Sequence, residues 1–268
     1  MRRLLVVMGL GAGACVVDEL PPPDQAATTD DTPVEKLAAN GLSASALSAH
    51  LSTVNQLASA ALAPSNSAVQ TLLATTDGQT VLTYIVQCAL PASASVTYTS
   101  ALTITGQLGL APDWGTTTPT ASERRWVSAC VLARTNYYGV TVALSLRGSN
   151  PALAASLTEP LTYLLTEAAF WGDLFAPGAP TQYSCDALVK STGLSLSTMS
   201  LRDCAVPAAG STTTTMCGFT FIGKCGALDV SLEPACKSLL APYSSCHTSQ
   251  SASSPTVAEV ITVYLATL

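Results

Sequence analysis

The sequence predicts an α+β fold, with N-terminal helices followed by a β-rich, disulfide-stapled domain. Three observations predict it. Helical apolar spacing dominates residues 37–90, β-branched alternating runs become prominent after Pro91, and eight of the nine cysteines lie at residue 88 or beyond. Helices first and strands later favour α+β over a regular βαβ alternation. The 268 residues suffice for one good core, and 10% charged residues is low against the usual quarter or so. The formal net charge of −6 argues against a nucleic-acid partner, which needs a basic patch to neutralise phosphates.

Residues 1–14 read as a signal peptide. Met1-Arg2-Arg3 is a short basic start, an apolar run follows, and Gly11-Ala12-Gly13-Ala14 places small residues before Cys15. The layout resembles the bacterial lipobox, in which the cysteine is lipidated, although Ala12 stands where that motif usually has Leu. The alternative is plain secretion with cleavage near Ala14. The apolar run is far shorter than the ~20 residues of a membrane span. Residues 15–35 then read as a lipidated cysteine and a tether: Pro21-Pro22-Pro23 and the acids Asp18, Glu19, Asp24, Asp30 and Asp31 leave little to bury. From Lys36 onward there are nine basic residues against eleven acidic ones, a net of −2, so the acidity belongs mostly to the tether.

Residues 36–91 form a helical block. A broken five-residue Leu period (Leu37, Leu42, Leu47, Leu57, Leu62, Leu72) is too short for a solenoid. Leu47, Leu51, Val54, Ala58 and Ala61 instead follow helical spacing and predict a helix over 43–62, capped by Ser43 or Ser45. A second helix is expected over 67–75. Asp77-Gly78 is expected to break the pattern before a third over 79–89, with Leu82, Ile85, Val86 and Ala89 buried. His50 reads as a solvated helix residue.

Residues 92–183 read as an α+β core. A strand with a bend is expected over 95–105, then a loop holding Ala111-Pro112-Asp113-Trp114-Gly115. Thr120 caps a helix expected over 121–136 that carries Trp126 and Cys130. Strands follow at 140–147, within 160–175 and at 260–266. Residues 184–268 form a cysteine-rich C-terminal region packing on the core.

Several segments resemble those of uncharacterised predicted lipoproteins of myxobacteria: Tyr84-Ile85-Val86-Gln87-Cys88-Ala89-Leu90-Pro91, Gly109-Leu110-Ala111-Pro112-Asp113-Trp114 and Arg125-Trp126-Val127-Ser128-Ala129-Cys130, in that order. Ala133-Arg134-Thr135-Asn136, Ser145-Leu146-Arg147-Gly148 and the run from Glu167 to Phe175 fit the same group. The resemblance covers residues 37–175. It implies an envelope address and no activity.

Cysteine parity agrees with a lipidated Cys15, because the remaining eight can close four disulfides with none left over. Cys88 and Cys130 have no other cysteine between residues 16 and 184 and are expected to pair. Cys185, Cys204, Cys217, Cys225, Cys236 and Cys246 allow 15 connectivities, and the sequence does not choose among them. A zinc site is disfavoured by gaps that are wide and even, despite His247 beside Cys246. No metal or cofactor is implied.

No phosphate loop, dinucleotide fingerprint or nucleophile elbow is present in the sequence. A carboxylate pair is the remaining catalytic option, drawn from Asp113, Glu123, Glu167 and Asp173, with Glu167 and Asp173 as the pair to test. Trp114, in its Pro/Gly-flanked loop, is the candidate contact for a polysaccharide or protein ligand, whereas Trp126 is expected in the core. The leading expectation is therefore a lipid-anchored bacterial envelope protein with a non-enzymatic binding or structural role. Its rival is a secreted hydrolase acting on polysaccharide. The face of the membrane is not specified.

Overall fold

The computed structural model describes residues 37–39, 41–156, 158–187, 202–226, 234–238 and 241–266. The signal peptide, Cys15 and the tether lie outside the described residues. The fold is α+β, as its sequence predicts, and residues 34–268 form one compact unit. The blocks expected at 36–91 and 92–183 therefore share a core. The chain is pinned where they would meet, because Leu90 O accepts from the backbone N–H groups of Gln107 and Gly109.

After strands β1 (Leu37–Ala39) and β2 (Leu42–Ser43), helix α1 spans Ala44–Gln56. The Ser43 hydroxyl caps it by accepting from Ala46 N at 3.1 Å. The helix stops short of residue 62 and tightens into a 3₁₀ turn at Leu57–Ser59. Leu57 and Leu62 are both fully buried, and five residues of continuous helix would put them on different faces. Helix α2 (Ser67–Leu73) starts at an Asn66 cap. Helix α3 (Thr76–Ala89) begins earlier than expected: Thr75 caps it, Asp77 favours its positive end, and Gly78 sits in the first turn. Gly78 is no breaker. A Cβ there would lie 2.2 Å from Leu72 O, so glycine permits the close approach of α2 to α3.

The bent strand expected at 95–105 is a hairpin, β3 (Ser95–Thr99) with β4 (Leu102–Thr105). Helix α4 (Ala121–Ala133) opens with a capping box in which the Thr120 hydroxyl and the Glu123 carboxylate satisfy each other's backbone N–H groups. It ends three residues before Asn136, because β5 (Thr135–Asn136) leaves to pair in parallel with β2. Next come β6 (Ala143–Arg147), the short helix α5 (Glu159–Thr162), β7 (Leu165–Asp173), β8 (Thr181–Asp186), β9 (Thr220–Lys224), β10 (Cys246–His247), β11 (Thr256–Val257) and β12 (Ile261–Leu265).

The main sheet has the order β1-β6-β12-β7-β8-β9, antiparallel except for the β8–β9 pair. Its middle is covered on both faces. Along β7, Ala168 and Phe170 join the larger core with α4 and the helical block, while Ala169 and Trp171 join a second, smaller core beside the C-terminal cysteines. Four disulfides close: Cys88–Cys130, Cys185–Cys225, Cys204–Cys217 and Cys236–Cys246. The first joins the end of α3 to α4, the pairing expected from sequence.

Closing the 42-residue Cys88–Cys130 separation is worth about 4 kcal/mol by loop entropy. The double variant Cys88→Ala/Cys130→Ala should therefore unfold in chemical denaturation with a free energy lower by several kcal/mol. A loss below about 1 kcal/mol would show that α3 and α4 are held by packing alone.

Candidate functional site

Trp114 is not a surface contact. It is 1% exposed, its indole N–H donates to Ala60 O at 3.0 Å, and its ring meets Phe175 edge-on at 4.8 Å. The loop that suggested exposure folds inward because the indole finds a carbonyl partner in the turn after α1. Trp126 and Trp171 are buried as well, and Trp171 donates to His247 O.

The carboxylates of the rival reading are held apart and engaged. Glu167 and Asp173 sit six residues apart on one strand, roughly 20 Å along β7 and well beyond the ~5–9.5 Å that glycoside hydrolysis requires. Glu167 accepts from Arg202 Nη1 at 2.6 Å, with both side chains buried. Asp173 faces Arg124 at 3.6 Å and accepts from Phe175 N at 3.0 Å. Burial raises the Asp173 pKa above its ordinary value, and Arg124 opposes that rise. Glu123 is consumed by its capping box, while Asp113 is exposed and it is its backbone carbonyl that accepts from Thr116 and Thr117.

The histidines have structural partners too. His50 is part-buried, with Nδ1 2.9 Å from Ala46 O and Nε2 3.0 Å from the Thr75 hydroxyl, so it ties α1 to the start of α3. Nδ1 must donate to the carbonyl, which can only accept. His247 Nδ1 meets Ser254 O at 3.1 Å. Among the described residues no group of three His, Cys, Asp or Glu is placed to hold a metal ion.

One exposed surface feature is an aromatic ledge just past α4. Tyr137, Tyr138 and Val140 are 39%, 55% and 40% exposed. Exposed large apolar side chains clustered together are the informative kind. The ledge is built to stay put. Asn136 accepts from Tyr138 N at 2.8 Å and donates to Val140 O at 2.9 Å, and Gly139 takes the positive φ of 66° that the turn requires. Tyr137 N donates to Arg202 O at 3.0 Å, and the Tyr138 hydroxyl donates to Asp203 Oδ2 at 2.9 Å. The two rings meet edge-on with centroids 5.0 Å apart. The hydrogen bond to Asp203 and its negative charge hold the Tyr138 hydroxyl protonated to above its ordinary pKa. Asp203 itself adopts a left-handed backbone, φ 51°, between the buried Arg202 and the disulfide-bonded Cys204.

Sequence reasoning missed this ledge. The available signal was two adjacent tyrosines before a turn glycine, just beyond the last helical apolar position. An open cavity of about 190 Å³ lies beside β8 and β9, lined by Pro180, Gln182, Tyr183 and Thr220 among others. It is smaller than the ~300–1,000 Å³ of small-molecule sites.

On the opposite end of α4, Glu259 accepts from Arg125 through both oxygens and from Ser122. Burial pulls its pKa up, but the Arg125 and Ser122 hydrogen bonds and the Arg125 charge outweigh it and hold the pKa below the ordinary value. A depressed carboxylate stabilises the fold above its unfolded pKa and loses that contribution as pH falls through the folded one. Glu259→Gln should therefore reduce the acid-induced loss of stability by about 1 kcal/mol in denaturant titrations between neutral pH and pH 3. Identical acid profiles for the two proteins would contradict this. Comparison of the chain with family models, curated proteins and solved structures gave no match, so its own residues must carry the functional reading.

Proposed function

We propose that this chain is a lipid-anchored protein of the bacterial cell envelope whose folded unit has a binding or structural role and performs no catalysis. The observation that carries the reading is the closed pairing of the eight cysteines from Cys88 onward, which leaves none of them for Cys15. Four disulfides suit an oxidising compartment. The small residues before Cys15, the Pro-rich acidic stretch behind it and the resemblance to predicted lipoproteins support the same address. A cysteine carrying two or three acyl chains anchors stably where one chain is marginal. The 18 residues at 16–33 reach at most ~60 Å when fully extended, enough to hold the folded unit clear of a bilayer.

The binding role rests on the ledge. Tyrosines offer large contact area at low entropic cost, and here the turn has already fixed their backbone. Of the two carboxylates of the rival reading, Glu167 is committed to the buried Arg202 and Asp173 faces Arg124. Cys15→Ala should move the protein from the membrane to the soluble fraction with its four disulfides unchanged. Continued membrane association, or an unmodified Cys15 thiol in the wild-type protein by mass spectrometry, would overturn the anchor.

A further inference from the structure

The second core brings two disulfides into contact. Cys185 Sγ, bonded to Cys225, lies 3.7 Å from Cys236 Sγ, bonded to Cys246. Backbone pairing sets this contact. Cys225 N donates to Asp186 O, Cys236 N donates to Cys225 O, and His247 N donates to Ala235 O, so four extended segments lie side by side. Cys236 and Cys246 also face each other as a bridge pair. All four cysteines are fully buried, among Trp171, Ile222, Tyr243 and Val260. The Cys88–Cys130 and Cys204–Cys217 pairs belong to the other core.

We propose that Cys185, Cys225, Cys236 and Cys246 form a single thiol–disulfide exchange unit, in which opening Cys236–Cys246 transfers the cross-link to Cys185–Cys236. The chemistry needs a dithiol reductant as co-reactant. One of its thiolates attacks Cys246 Sγ and forms a mixed disulfide, and Cys236 leaves as a thiolate with the electron pair of the broken bond. That thiolate attacks Cys185 Sγ, forming Cys185–Cys236 and expelling Cys225 as a thiolate, which takes a proton from water. The second thiol of the reductant then resolves the mixed disulfide, releasing Cys246 as a thiol and the reductant as its own disulfide. Two electrons enter, one disulfide is lost, and the remaining one has moved.

Burial means that the first attack occurs on locally opened molecules. The second is intramolecular, with the sulfurs already in van der Waals contact, and a positioned nucleophile outruns one from solution by its effective concentration. The unit would thus respond to a dithiol oxidoreductase by rewiring the link between β8 and the C-terminal segments.

The test is peptide mapping of the oxidised protein after stepwise treatment with dithiothreitol, acid quenching and alkylation. The proposal expects a Cys185–Cys236 cross-linked peptide, with Cys225 and Cys246 alkylated, while Cys88–Cys130 and Cys204–Cys217 stay intact. Opening of either native pair without that peptide would overturn it, as would crossed peptides that include Cys88 or Cys204, which mark general scrambling. The variant Cys246→Ser needs no reductant, since it frees Cys236 from the start. It should contain both Cys185–Cys225 and Cys185–Cys236, and finding Cys185–Cys225 alone would overturn the proposal.

Discussion

The guanidinium of Arg202 lies fully out of water, and a buried cation persists only where opposite charge and carbonyls replace its hydration. Here Glu167 on β7 supplies the charge, and the carbonyls of Ala133 and Thr135, at the end of α4 and in β5, accept from Nη2. The Phe170 ring lies 5.6 Å from the cation. Burial lowers the Arg202 pKa and Glu167 raises it in opposition, so the site favours keeping both partners together. One side chain thereby sets the spacing between helix, sheet and the segment that enters the C-terminal region. The backbone of that segment holds Tyr137, its Asp203 side chain holds Tyr138, and its Cys204 is bonded to Cys217. The exposed ledge is in this sense a consequence of a buried charge. A second buried cation works alongside it: Arg134, the C-cap of α4, reaches Gln87 at 2.7 Å and stacks over Tyr84, and burial lowers its pKa to about 10.

The sheet explains why its two faces are stabilised differently. Its inner strands alternate between two apolar layers, and the helical side fills its layer with Leu, Ile and Val. On the other side, among the described residues, the second core has eleven buried members, of which four are cysteines and three are alanines. Such a layer buries little area per residue, and cross-links that restrict the unfolded chain compensate for it. The same crowding of sulfur that staples this layer places two disulfides in contact.

Where local chemistry decides an element, the sequence was readable. Ser43 and Thr120 mark the starts of α1 and α4 because a hydroxyl before an apolar periodic run has few other uses. The isolation of Cys88 and Cys130 specifies their pairing by elimination. Where a distant partner decides, local reading failed. Trp114 turns inward for a carbonyl 54 residues earlier, Gly78 serves a helix contact in a dipeptide that reads as a turn, and α4 ends early so that Thr135 can pair with Leu42. Glu167 and Arg202 lie 35 positions apart, so neither the ion pair nor the ledge it supports could be placed from local sequence.

Amide hydrogen exchange of Glu167→Gln at Tyr137, whose N–H is held by Arg202 O, tests the dependence of the ledge on the buried pair most directly. Leaving one partner of a buried pair uncompensated costs about 3–5 kcal/mol. The Tyr137 amide should therefore exchange at least roughly a hundredfold faster in the variant, and be accelerated more than the amides of α3. Unchanged exchange at Tyr137, or acceleration no greater than in α3, would mean that the ledge is held by its own turn and that the buried charge does not shape it.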